Sequence, residues 1–301
     1  MRKKTNKYLI SMVCVTYNST ENLKTTIKSI LEQKIPFENT EIIIVDNGSD
    51  LREVNNLVTF LESIRKNFGN LIFLPLKMNI GAGGGFNLGI SLANGNFIFK
   101  IDSDVLIPPG TLSKMINYAT KFKTCILGVP EYSLSDGKLF TPGTNFINPL
   151  FMERKVKFSP SKSFLEVDLV PGPLMLVTKT TISTIGNIDP SFFIYYDDYD
   201  FCYRAKKHKI IVGIIPQLKF YHIGKCGSII TMNSERLEIL TMNRIRFLRK
   251  HLDDLHLILP FIYLFFATIK KIFVLLLHRK YKPIKFLLKG SIKGWITPIS
   301  V

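Results

Sequence analysis

Two carboxylates, Asp102 and Asp104, stand one residue apart where the apolar run Phe97-Ile-Phe-Lys-Ile101 ends. Held that close on a buried edge they repel each other unless a cation or a donor network compensates, and such hard oxygen ligands favour magnesium or manganese. Asp-x-Asp is also common in polar strand-end turns, so the pair alone leaves both readings open. Three more acids, Asp197, Asp198 and Asp200, lie among four tyrosines in the run Asp189–Arg204, either as a polar site or as N-terminal helix decoration that suits the macrodipole. His222 ends a further apolar run; a lone strand-end histidine is more often structural than a ligand, but this one would close the sheet edge that carries Asp104. The glycine-rich stretch Asn79–Gly89 opens a helix whose N-terminus favours a phosphate, a flexible turn being the alternative. It is neither the dinucleotide fingerprint nor a P-loop, because it follows the third strand rather than the first and lacks Gly-Lys-Ser/Thr.

These residues need a frame. Tyr8–Thr16, Glu41–Val45, Leu71–Leu76 and the Asp102 run read as buried strands, and Pro108-Pro109-Gly110 forbids simple continuation of the last. Helices alternate with them, through Leu23, Ile27, Ile30 and Leu31 with Ser19 or Thr20 as cap, and through Leu57, Phe60, Leu61 and Ile64. Alternation at this spacing argues a parallel, doubly wound sheet, which binds ligands at the carboxyl ends of its strands, where Asp46, Asp102 and Asp104 lie. Beyond it, Leu112–Tyr118 reads as a helix and Cys125–Val129 as a strand, and from 132 to 160 the periodicity fails in hairpins or a mobile loop. Val167–Val170 and Leu174–Val177 are expected strands, and Thr180–Ile185 a short helix closed by Gly186. A helix through Tyr203, Arg204 and Lys207 precedes two strands, Lys209–Ile215 and Leu218–His222.

With 301 residues, 46% of them apolar, the chain can fill one large α/β core, and disorder is excluded. The formal charge of +17 asks for an anionic partner. From Arg244 onward twelve Lys and Arg face only Asp253 and Asp254, so +10 of that charge lies in the last fifth of the chain. The same segment holds the apolar runs Leu255–Ile269 and Ile272–Leu277, which suits an anionic membrane surface better than nucleic acid. The first run is about 15 residues, short of the roughly 20 that span a bilayer, and Pro260 interrupts it, so helices lying in the interface are expected. Packing on the catalytic domain or on a second copy of the chain is the alternative. Removal of everything after about Lys250 is therefore expected to improve solubility and leave donor binding intact. Cys14, Cys125, Cys202 and Cys226 form no Cys-x-x-Cys pair and read as buried thiols in a reducing compartment. The basic start Met1–Lys7 runs into a short strand without a cleavage site, so no secretory signal is expected.

Residues from about 8 to 250 resemble the inverting family 2 glycosyltransferases of GT-A fold, in particular their rhamnosyltransferase and galactofuranosyltransferase branch. The resemblance is carried by Val15-Thr-Tyr-Asn18, Val45-Asp-Asn-Gly-Ser49, Asn79–Gly89, Asp102-Ser-Asp104, Gly172-Pro-Leu-Met175, Phe192–Arg204, His222 and Asn243-Arg244, in order and at agreeing spacing. It implies a Rossmann-like nucleotide-binding half (8–104) and a mixed-sheet acceptor half (105–250), whereas the C-terminal helical, membrane-associating region (251–301) is expected from its apolar and basic runs alone. The resemblance also implies that Thr16, Tyr17 and Asn18 line a nucleotide pocket and that Asp46 accepts a hydrogen bond from a pyrimidine base. Asn79, Gly84 and Asn87 would contact the diphosphate-sugar, Asp102 the ribose or the metal, Asp104 the metal directly, and His222 would complete the metal shell. Asp198 would be the general base, with Tyr196 and Asp197 on the acceptor side. Many relatives have Glu-Asp where this chain has Asp197-Asp198, so the contact at 197 is shortened.

The expected activity is transfer from dTDP-rhamnose, UDP-galactofuranose or another UDP-hexose to a hydroxyl of a cell-envelope glycan or lipid-linked acceptor, aided by Mn2+ or Mg2+, at the cytoplasmic face of the membrane. Two competitors differ in class. A catalytically silent membrane scaffold should have lost Asp104, Asp198 or His222, and all three are present. A nucleotide-dependent oxidoreductase lacks the early glycine fingerprint and the ribose-binding acid about twenty residues beyond it.

Overall fold

The computed structural model describes residues 9–147, 152–223 and 233–299. The basic N-terminus, Tyr8, Pro149 and Cys226 lie outside them. In chain order the elements begin β1 (Ile10–Thr16), α1 (Thr20–Leu31), β2 (Thr40–Asp46), α2 (Leu51–Ile64), β3 (Asn70–Pro75), α3 (Ala82–Leu92), β4 (Phe97–Asp102), β5 (Val105–Leu106), α4 (Thr111–Ala119) and β6 (Cys125–Gly128). Short strands β7 (Glu131–Ser133), β8 (Leu139–Thr141), β9 (Thr144–Ile147), β10 (Met152–Lys155) and β11 (Leu165–Glu166) come next. Then follow β12 (Leu174–Thr178), α5 (Lys179–Ile185), α6 (Asp197–Lys207), β13 (Ile211–Ile214), β14 (Phe220–His222), α7 (Ser234–His251), α8 (Asp254–Leu277) and α9 (Tyr281–Ile296).

Among the described residues the main sheet has eight strands in the order β11-β13-β6-β12-β4-β1-β2-β3. Its β3-β2-β1-β4 half is parallel, as the alternation demands, whereas β12 runs antiparallel to both β4 and β6 and makes the whole sheet mixed. Side chains alternate between two cores: Met12 and Cys14 of β1 join α1, α2 and α4 on one face, while Val13 and Val15 meet α3, α5 and α6 on the other. Glycine has a packing reason in α3. A methyl group at Gly85 or Gly89 would strike Val15 or Val13, so the glycine run lets α3 lie directly on β1. A second sheet, β5-β14-β7-β8, covers the carboxyl end of β4, and the register His222↔Val105 brings the end of β14 beside Asp104.

Three expectations are corrected. Val167–Val170 is not a ladder strand: pairing is limited to Leu165–Glu166 on β13 and a single bridge from Leu169 to Thr144. Ser19 occupies the N-cap of α1 without a side-chain cap bond; its Oγ accepts from Asn22 instead, and the Thr20 N–H goes to Glu53 of α2. The two C-terminal apolar runs are one continuous helix, α8, with Pro260 inside it and the residues Leu255–Leu277 long and apolar enough to cross a membrane by length and composition. Pro260 lies inside α8, past its first turn, where it removes one backbone hydrogen bond without ending the helix.

α8 and α9 fold back on the domain. Phe261 of α8 stacks on Trp295 of α9 at 4.3 Å, and Leu257, Phe261 and Leu264 pack against Phe247 and Leu248 of α7. Lys289 and Lys293 of α9 both bind Glu238 of α7, and Arg249 donates to the carbonyls of Gly294 and Thr297. A cut near Lys250 would remove His251 from α7 and uncover the face of α7 on which α8 and α9 pack.

α6 is locked to α7 by Asp200, which is fully buried and accepts from Arg204 (2.7 Å), Lys250 (2.9 Å) and His251 (2.8 Å). Burial alone would raise its carboxyl; the His251 bond, the Arg204 charge and the Lys250 bond outweigh it and hold the group below its ordinary range. Asp200→Ala should cost about 3–5 kcal/mol by stranding buried cations, read as a lower urea midpoint at unchanged m. Because the folded value is depressed, the contribution is complete above the unfolded carboxylate value of about 4 and is lost as pH falls through the folded one.

Candidate active site

The site grows from β4. Lys100 and Asp102 are two residues apart and share one face of the strand, so the Lys100 ammonium lies 3.0 Å from Asp102 Oδ1 and donates at 2.9 Å to the carbonyl of Gly172. It also sits 4.2 Å over the Phe86 ring and feels the charges of Asp197 and Asp198. Burial pulls the ammonium down, but the carboxylates, Asp102 first, more than restore it. The sequence reading passed over Lys100. The signal was available: a lysine inside an apolar strand is seldom buried unless paired.

Asp197 and Asp198 open α6 after an unusual approach. Phe193, Tyr195 and Tyr196 all have positive φ, at 61°, 64° and 67°. Asn243 of α7 donates to the carbonyls of Phe192, Ile194 and Tyr195 and holds this segment from behind. The Tyr196 and Tyr199 hydroxyls both donate to Glu153, at 2.8 and 3.1 Å. Glu153 is another group that sequence reasoning missed, in the stretch where periodicity failed. Burial first, then the Asp197 charge, push the Asp198 carboxyl up to about 7 against the pull of Lys100. Asp197 is raised mainly by burial.

Asp104 and His222 meet at 3.0 Å through Nε2, and His222 Nδ1 faces Glu131 at 2.9 Å. Burial would lower this imidazole, but its bonds to Asp104 and Glu131 raise it to about 11, so it is an imidazolium between two carboxylates. The expected trio of Asp102, Asp104 and His222 is not drawn together. Among the described residues no three His, Cys, Asp or Glu side chains form a metal-holding group, because Lys100 takes Asp102. The carboxylate and imidazole of Asp104 and His222 do fit a divalent cation, which would replace the proton on Nε2 while Glu131 continues to orient the ring.

On the other side of β4, Thr16 and Asp46 stand opposite each other at the ends of β1 and β2. Thr16 Oγ1 and Asp46 Oδ2 are buried without partners, while Asp46 Oδ1 accepts from the Ser49 N–H. Two adjacent unsatisfied polar atoms at strand carboxyl ends mark a ligand edge. Asn18, at φ 47°, ties this edge together, its N–H donating to Ser49 Oγ and its Oδ1 accepting from the Asp50 N–H, and Tyr17 is exposed beside it. Asn79 and Asn87 play other parts. Asn79 Oδ1 accepts from Asn47 and the Gly81 N–H, and both ends of the Asn87 amide bind the Ile188 backbone. Their amides brace the loops, and Gly84 lies in the first turn of α3, where helical N–H groups lack intrahelical partners.

Two cavities meet at Asp198. One, of about 390 Å3, is lined by Glu131, Pro171, Gly172 and Pro173; the other, of about 300 Å3, lies under α7, α8 and α9; Asp198, Tyr199 and Glu153 border both.

Residues 11–172 match the family described as Glycosyl transferase family 2, and the chain belongs to that family. It is 30% identical over 228 residues to the minor teichoic acid biosynthesis protein GgaB of Bacillus subtilis, covering 75% of this chain and 23% of that protein. An uncharacterized glycosyltransferase of Rickettsia typhi is 27% identical over 205 residues, 68% of this chain and 60% of its own length. The chain thus spans less than two thirds of these relatives. In fold it is similar to the mannosyltransferase PcManGT of Pyrobaculum calidifontis, solved with GDP-Man and Mn2+, at a TM-score of 0.64 and 14% identity over 97% of this chain and 88% of that one.

A methyl group at Gly172 would overlap the Asp198 carboxylate, so only glycine lets the Lys100-bound turn lie against it. Gly172→Ala should displace Asp198 and lower turnover roughly 100-fold with folding retained, measured as kcat against an unchanged thermal midpoint.

Proposed function

We propose that the chain is an inverting glycosyltransferase that moves a sugar from a nucleoside-diphosphate donor to a hydroxyl of a cell-envelope glycan or lipid-linked acceptor. The observation that carries this reading is the position of Asp198. Its carboxyl, raised to about 7, stands where two cavities join, one lined by the Pro171–Pro173 turn before β12, the other under the C-terminal helices. GgaB, named for teichoic acid biosynthesis, supports an envelope acceptor.

In this reading Thr16 and Asp46 receive the donor's base, with Tyr17 and Asn18 at its edge, and the first turn of α3 at Gly84 faces the diphosphate. A divalent ion held by Asp104 and His222, Mn2+ or Mg2+, would supply charge neutralisation for the departing nucleoside diphosphate. Lys100 fixes Asp102 toward the donor side and, by its charge, keeps part of the Asp198 population ionised. Ionised Asp198 takes the proton from the acceptor hydroxyl as that oxygen attacks the anomeric carbon opposite the leaving group. Asp197, buried behind it, keeps the carboxyl basic. Tyr196 and Tyr199, pinned by Glu153, wall the acceptor side.

The test is a panel of nucleotide sugars, dTDP-rhamnose and UDP-galactofuranose included, scored by nucleoside diphosphate release with each metal. kcat/KM should rise with pH through about 7 as Asp198 deprotonates, and Asp198→Asn should lower turnover by roughly two to four orders of magnitude at unchanged donor affinity. Collapse of donor binding in Asp198→Asn would instead make it a donor-site residue.

The C-terminal helices are proposed to hold the enzyme at the cytoplasmic face of a membrane. One face of α8 packs on α7 and α9. Its other face exposes Ile258, Ile262, Phe265, Phe266, Ile269 and Phe273, and Arg279, Lys280, Lys282 and Lys285 follow. Such a face lies in the interface, with basic residues contributing about 1 kcal/mol each near anionic headgroups. The full chain should co-sediment with phosphatidylglycerol vesicles at low salt and release on Phe265→Ser/Phe266→Ser; protein that ignores the vesicles would sink this part alone.

A further inference from the structure

The cavity of about 300 Å3 under the C-terminal helices holds more charge than a wall for a neutral sugar requires. Arg244 of α7 and Lys271 of α8 both line it. Arg244 is mostly covered, stands 3.9 Å from Glu153 and lies over the Tyr263 ring. Lys271 is half-buried, and no ion pair among the described residues holds it. Burial, and then the charge of Arg244, press its ammonium below the ordinary range, with Glu153 opposing. Thr241, also on the lining, has a buried hydroxyl with no hydrogen-bond partner. Glu153 offsets one of the two cations, Arg244 at 3.9 Å, while also accepting the hydroxyls of Tyr196 and Tyr199, and Lys271 remains as the second positive charge. Two cations and an unsatisfied hydroxyl lining one cavity are what a tetrahedral oxyanion needs, charge-assisted donors from more than one direction.

The donor's own phosphates do not account for this site. The donor edge at Thr16, Asp46 and Asp104 lies at the carboxyl ends of the sheet strands, whereas the cavity is closed by α7, α8 and α9 beyond Asp198. Its volume is at the lower end for small-molecule sites, enough for a phosphate and a short polyol or part of one sugar.

We propose that this cavity is an acceptor subsite for a phosphate group, bound between Arg244 and Lys271, which brings a hydroxyl of the same acceptor to Asp198. The proposal rests on the transferase reading and names the acceptor class, a phosphorylated polyol or glycan. The phosphate belongs either to a soluble polyol phosphate or to the diphosphate of a lipid-linked sugar. Both present the same oxyanion, and the experiment separates them.

Binding is measured first on the full chain without donor, by NMR titration of glycerol 3-phosphate against glycerol. The wild type should bind the phosphate and not the triol, and Lys271→Met and Thr241→Val should weaken binding, Lys271→Met by roughly 10- to 100-fold, with Lys271→Arg restoring it. Failure of the wild type to bind, or equal binding by Lys271→Met, overturns the subsite. Transfer is then assayed with a glycerol phosphate oligomer and with a lipid-linked diphosphate sugar, each beside its phosphate-free counterpart. Lys271→Met should raise the acceptor KM by a similar factor for one or both phosphorylated acceptors, leaving the donor KM and the phosphate-free acceptors unchanged; whichever acceptor responds identifies the source. A loss shared equally by phosphorylated and phosphate-free acceptors, or no loss with any, overturns the proposal. If no donor is turned over while phosphate binding depends on Lys271, the transferase reading fails and the anion subsite stands.

Discussion

One buried ammonium organises the centre of this molecule. Lys100 lies in the interior of a strand between two cores, where an uncompensated charge would cost several kcal/mol, and its compensation comes from Asp102, the Gly172 carbonyl and the fields of Asp197 and Asp198. Those partners belong to three separate segments: the end of β4, the turn before β12 and the start of α6. Satisfying one charge therefore positions all three at once.

The surroundings of Asp198 depend on structure beyond the family match. Residues 11–172 contain β1 to β4 and their strand-end acids, whereas Asp198, Asn243, Arg244 and Lys271 lie outside that segment. Three positive-φ residues before Asp197 carry strain of order 1–3 kcal/mol each. That conformation persists because Asn243 ties its carbonyls to α7 and because Asp200 binds Lys250 and His251 on the same helix. α7 in turn is covered by α8 and α9. The apolar and basic C-terminus is thus a wall of the catalytic domain as well as an exposed surface, and the two roles use opposite faces of α8.

Much was legible in the residues themselves. Strands and helices of the parallel half follow from uninterrupted apolar runs between polar turns, a local pattern that burial on both sheet faces enforces. Asp46, Asp102 and Asp104 at strand ends, and Asp197-Asp198 at a helix start, are local facts too. Continuity of α8 is not legible in the apolar pattern, because Lys270 and Lys271 interrupt the hydrophobic run yet break no helix.

The tertiary structure alone decided which charges meet. Lys100 to Asp198 and Arg244 to Lys271 are long-range pairings, and a periodicity of two or 3.6 residues carries no information about them. It likewise decided that α3 uses Gly85 and Gly89 to press on β1, that Asn87 braces Ile188, and that Glu153, from an aperiodic stretch, gathers two tyrosines beside Asp198. The sequence by itself determined the elements and the acids they present, because propensity and burial pattern act over a few residues. The partners of those acids were set only when the chain closed, because a buried charge is satisfied by whatever the fold brings within about 3 Å.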